Sequence, residues 1–153
     1  MSKPHAESDR QASLEKEQNS LKRSARWTYN TAIEPSIRLV PEFVMLGSDE
    51  LRKALPLGEH EHPGCYEFVL IERGKARWEL EGALYETQAG ALFHSRPAEK
   101  HRGGFNVIEP CKFWWLLISA PHREGWLRLA TEESILMDQL LTRLPRVMQI
   151  GLP

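Results

Sequence analysis

Cysteine is scarce in this chain, long apolar runs are missing, and neither sign of charge is in excess. With only two cysteines, Cys65 and Cys111, in 153 residues, a disulfide scaffold of the kind that staples small secreted domains is not expected. Both thiols read as small, half-buried side chains. No stretch of about 18 apolar residues occurs, and the first 26 residues hold no apolar run of signal-peptide length. Neither membrane spanning nor export is indicated, and the expected location is the cytoplasm. Twenty Lys and Arg against 21 Asp and Glu leave a formal charge of −1. That balance lacks the basic footprint of a chain that grips nucleic acid unaided, so any contact with DNA has to come through another domain. Internal repeats and low-complexity segments are also missing, and the length suits one domain able to bury a real core.

What is present divides into three parts. Residues 1–26 are polar and charged, with Leu14 and Leu21 as the sizeable aliphatics, and they read as a flexible polar arm that holds at most a short helix over 13–22. From Trp27 to residue 120, turn residues punctuate short apolar or alternating runs: Pro41, Pro63-Gly64, Gly74, Gly82, Gly90 and Gly103-Gly104. This rhythm predicts an all-β unit. Ala76, Trp78 and Leu80 share one face of a half-buried strand. The runs 66–71 and 113–118 are apolar on both faces and need a cover outside the sheet. Trp126 in a short turn and a helix from Thr131 to Leu144 are the expected cover. Thr131 is read as the N-cap, Glu132 and Glu133 as first-turn acids, and Pro145 as the stop. Residues 121–153 thus read as a helical segment, and the apolar run 147–153 reads as a cut in a longer polypeptide.

Chemistry concentrates in two stretches. In Gly58-Glu59-His60-Glu61-His62-Pro63-Gly64-Cys65-Tyr66-Glu67, the two imidazoles at i and i+2 share one face of an extended chain, and a turn at Pro63-Gly64 returns Glu67 towards them. The second stretch, 90–101, ends in His101. The spacing His-x-His-x4-Glu-x6-Gly, followed by Gly-x6-Pro-x3-His, resembles the two cupin motifs. The resemblance implies a cupin-type β-barrel (double-stranded β-helix, or jelly roll) with one or two carboxy-terminal α-helices. In it, His60, His62, Glu67 and His101 can hold a divalent metal such as Zn, Ni, Fe or Mn. The same four residues can instead form a hydrogen-bonding cluster without metal. His94 reads as structural, and His5 and His122 carry no functional weight.

The runs 66–74, 82–90 and 97–101 are further similar to the amino-terminal effector-binding domain of AraC-family transcription regulators. The likeness covers roughly residues 56–130. It implies a barrel that senses a small molecule, often a sugar, helices that form a homodimer, and a carboxy-terminal DNA-binding domain absent from this chain. Ala91 and Ala98 depart from residues common in relatives, so metal dependence is not inherited automatically. If Glu67 points inward, parity places Val69, Ile71 and Arg73 on the same face. Arg73 then stands at the mouth, at the position that contacts sugar in the arabinose-responsive member, although a solvated strand-end charge reads equally well. Trp78 and Trp114 are candidate stacking surfaces for a sugar or sugar acid, or else plain core residues. Trp115 is read as packing under the helix. Leu136, Leu140 and Leu144 are the expected dimerisation stripe. The alternative in another class is a small metal-dependent cupin enzyme, a dioxygenase or sugar isomerase.

Overall fold

The computed structural model describes residues 25–31, 33–34, 40–122 and 124–151. Residues 1–24, with nearly all of the expected arm and its helix, lie outside the described residues. Ten strands and one α-helix are described: β1 (Ala25–Asn30), β2 (Phe43–Glu50), β3 (Leu55–Pro56), β4 (Cys65–Leu80), β5 (Ala83–Gln88), β6 (Ala91–Ser95), β7 (His101–Gly103), β8 (Val107–Ile108), β9 (Cys111–Ser119), α1 (Thr131–Arg143) and β10 (Val147–Gln149). The all-β expectation holds.

β4 organises the molecule. Its 16 residues comprise both of the expected strands on either side of Gly74, and they join two sheets. The first half pairs with β9 and β6, and the second half with β5 and β7. The larger path runs β1-β2-β9-β4-β6-β10. At the crossing Gly74 takes φ +86°, and a Cβ there would stand 2.9 Å from the Pro110 carbonyl oxygen. Only glycine lets the chain turn from one sheet into the other so close to a neighbouring backbone.

Alternation along β4 sorts the side chains. Glu67, Val69, Ile71, Ala76, Trp78 and Leu80 are all buried. Inside, Trp78 stacks on Phe93 with ring centroids 4.8 Å apart, in a core that includes Val69, Ile71, Leu80, Ile108 and Phe113. A second cluster covers the outer face. Tyr66, Ile118, Ala120 and Trp126 gather Phe68, Met137 and Leu141 around them, so the Trp126 turn and α1 supply the expected cover.

Four expectations change. Ala130, not Thr131, caps α1. Its backbone N–H donates to the Glu133 carboxylate at 2.9 Å, and Thr131 becomes the first helical residue. Trp115 does not lie under the helix: it pairs with Gly47 across β2–β9, where any Cβ would fall 2.3 Å from its ring, and its Nε1–H donates to Asp49. β1 begins at Ala25, so Arg26 belongs to the sheet and holds the buried Asp49 at 2.6 Å. Finally, part of the apolar run after Pro145 forms strand β10, which pairs with β6 and places Val147 against the core.

Candidate metal centre

The four motif residues converge. His60 leaves an extended segment that bridges backbone-to-backbone with His101 at the start of β7, while Glu67 projects inward from the first half of β4. One ligand atom from each of His60, His62, Glu67 and His101 lies within 4.8 Å of the others. This is close to the ~4.2 Å that separates two opposed ligands each ~2.1 Å from an ion. Glu67 and His101 are buried, whereas His60 and His62 are half-buried.

Hydrogen bonds set the tautomers. His60 Nδ1 lies 2.8 Å from the Gly58 carbonyl and His101 Nδ1 lies 2.9 Å from that of Glu99. A carbonyl only accepts, so both Nδ1 atoms carry hydrogen, and in the neutral rings both Nε2 lone pairs are free for the cluster. His101 Nε2 then stands 2.8 Å from Glu67 Oε2, and His62 Nε2 stands 3.6 Å from Glu67 Oε1. As a neutral ring facing a carboxylate, His101 would set two lone pairs against each other. Both of these atoms, and His62 Nε2 as well, are buried without a conventional hydrogen-bond partner. A shared proton or a cation resolves the conflict, and three imidazoles with one carboxylate are the donor set that a divalent first-row ion prefers. The residues fit a metal.

Without an ion, the proton takes that place. Burial opposes the Glu67 carboxylate, but the imidazoles of His101 at 2.8 Å and His62 at 3.6 Å prevail and hold its pKa down at about 2. Burial likewise opposes the His101 cation, yet Glu67 lifts its pKa above the ordinary value. Burial lowers that of His60.

The expected ligand-gripping residues do not join the cluster. A register shift between Ile71 and Arg73 breaks the parity, and Arg73 ends on the surface, 63% exposed and 3.1 Å from Glu50. Trp78 is buried and its Nε1–H is taken by Thr87 Oγ1 at 3.0 Å. Trp114 lies partly exposed beside Trp27, with its Nε1–H on Glu72. His94 has the structural role expected of it, donating from Nε2 to the Leu144 carbonyl at the end of α1. Three surface grooves stand out, and none is lined by the four cluster residues.

Two features escaped the sequence reading. Ser95 pairs with Glu67 across β4–β6 and is buried, a placement that the alternation from Ala91 and Phe93 already implies. Arg146 grips both carboxylate oxygens of Glu99, at 2.8 and 2.5 Å, while the backbone carbonyl of Glu99 holds His101. No local signal links residues 47 positions apart.

The family of AraC-like ligand-binding domains matches this chain over residues 57–149. The chain belongs to this family. The match spans the cluster, strands β4 to β10 and α1, and leaves β1, β2 and β3 outside it. Among solved structures, the AraC-like domain is similar to the bacterial pirin YhhW from Escherichia coli, described in complex with nickel(II): 13% identity, TM-score 0.54, 67% of this chain and 47% of that one. It is also similar to a cupin protein from Bacteroides fragilis (22% identity, TM-score 0.45, 66% and 81%) and to a predicted oxalate decarboxylase from Thermotoga maritima (17%, 0.45, 63% and 78%). A comparison with curated proteins finds no match. The fold is cupin-type, an antiparallel double-stranded β-helix that carries one α-helix among the described residues. No described helix is long and apolar enough to cross a membrane.

Proposed function

We propose that this AraC-like domain senses a small polar metabolite at a metal held by His60, His62, Glu67 and His101, and passes the occupied state to α1. It thereby serves as the effector-binding and dimerisation part of a transcription regulator. The observation that carries this reading is the family match over 57–149, which contains the complete four-residue cluster and the helix together. A physical route joins them: His101 is held by Glu99, Glu99 is clamped by Arg146, and Arg146 follows α1 by three residues. A ligand that prefers one setting of this segment shifts the population of helix positions by its differential affinity. DNA is then met through a domain other than this barrel.

The test combines a thermal-shift screen of sugars, sugar acids and other small acids with a turnover assay on every hit. Ligand at 100 times its dissociation constant stabilises the fold by about 2.7 kcal/mol. A stabilising ligand recovered unchanged supports the sensor, whereas its consumption hands the site to the metal-dependent enzyme alternative.

A further inference from the structure

On the inner face of β6, among the described residues, stands a hydroxyl that neither the core nor the cluster uses. Ser95 is 1% exposed. It lies directly opposite Glu67 in the antiparallel β4–β6 register, so both side chains leave the sheet on the same face. Two residues back on that face, Phe93 is packed on Trp78 and stands with its ring 6.3 Å from that of His101. Ser95 therefore points into the interior beside the cluster, and its Oγ is buried with no hydrogen-bond partner. A buried hydroxyl without a partner costs folding free energy, and alanine would fill the same place without that cost. Its O–H is a donor left without a partner on the face of the sheet that carries Glu67.

Charge says what that occupant is. Three neutral imidazoles and one carboxylate leave a divalent ion with one unmatched positive charge. Glu99, in the same segment as His101, offers no compensation because Arg146 already matches it. A buried, unbalanced charge selects a counter-charge of opposite sign. Resting on the reading of this cluster as a metal-held sensor site, we infer that its effector is a small monoanion with an oxygen donor, such as a carboxylate. One oxygen completes the ion's coordination, and a second accepts the hydrogen bond of Ser95. This narrows the sugar or sugar-acid expectation to the acid.

The probes are acetate and acetamide, which share a shape and differ in charge. They are titrated into the Co2+-loaded chain and followed by the visible absorption of the metal. Acetate is expected to saturate and alter the spectrum, and acetamide is not. Ser95→Ala should weaken acetate roughly tenfold, the scale of one hydrogen bond to a charged acceptor. It should leave cobalt content unchanged and Tm equal or higher. Equal responses to acetate and acetamide would overturn the anion assignment. An unaltered acetate affinity in Ser95→Ala, or a fall in its Tm, would overturn the role of the hydroxyl. Loaded protein indifferent to acetate defeats this inference alone, whereas failure to load cobalt defeats the metal reading with it.

Discussion

His101 and Glu67 are the residues on which the chemistry turns, and their protonation couples folding to metal. The Glu67 acid is depressed to about 2 from its ordinary 4.5, so its contribution to stability is complete above 4.5 and is lost as pH falls towards 2. His101 is raised from 6.5, so its contribution is complete below 6.5 and is lost as pH climbs through the raised value. In the chelated protein the pair therefore stabilises most between about pH 4.5 and 6.5. Ligation needs a neutral His101, so saturating Zn2+ is expected to move the optimum above that window. Melting curves from pH 4 to 9, with chelator and with Zn2+, check this, and Glu67→Gln should flatten both profiles. Arg73→Ala is expected to change stability by less than about 0.5 kcal/mol, because its pair with Glu50 is exposed. Trp78→Ala should cost about 3–5 kcal/mol by opening a void beside Phe93. Denaturant titration separates these two outcomes.

At the scale of elements, α1 shows two faces. Met137 and Leu141 pack on the outer cluster of the barrel. Leu136 and Leu140, one turn apart, are 56% and 51% exposed, while Leu144 at the helix end is half-buried. Leu136 and Leu140 are therefore the part of the expected stripe left uncovered, and a twofold pairing of α1 would cover them. Leu140→Glu is expected to give monomer by light scattering at tens of micromolar with Tm nearly unchanged. Leu141→Ala should instead cost about 2–4 kcal/mol in the monomer itself. The Arg146 clamp behaves differently from a surface pair, since its side chain and that of Glu99 are 14% and 15% exposed. Arg146→Ala leaves the half-buried Glu99 carboxylate with only the backbone N–H and the more distant guanidinium of Arg96, and should destabilise by about 1–3 kcal/mol. It should also weaken metal binding, because the same residue, Glu99, orients His101. Zn2+ affinity measured by competition with a chelating dye tests that link, and an affinity equal to the parent's would break it.

For the whole molecule, the strands formed where patterns were strong. Alternation at Ala76, Trp78 and Leu80, the doubly apolar runs 66–71 and 113–118, and glycine turns at Gly82 and Gly90 all took the form that their sequence implies. β10 did not announce itself, because three residues of an apolar run acquire a strand's hydrogen bonds only when β6 lies beside them. Removing residues 145–153 is expected to expose the β6 edge and lower Tm by several degrees, with increased aggregation on heating. Differential scanning fluorimetry with light scattering reads both effects.

The two histidines at i and i+2, the glutamate five residues on and the histidine after Pro97 were legible as a constellation, because a local spacing on an extended chain dictates which side chains share a face. Hydrophobic alternation likewise settled the strands and the inner face of β4 as far as Ile71. Tertiary structure decided the rest. The register shift that turns Arg73 outward depends on how β4 pairs with β9, and a one-residue slip exchanges the two faces of a strand. The burial of Trp78, the exposure of Trp114 and the isolation of the Ser95 hydroxyl depend on neighbours distant in sequence. So does the clamp of Arg146 on Glu99, which exists only once the barrel has brought the end of α1 to the loop that carries His101.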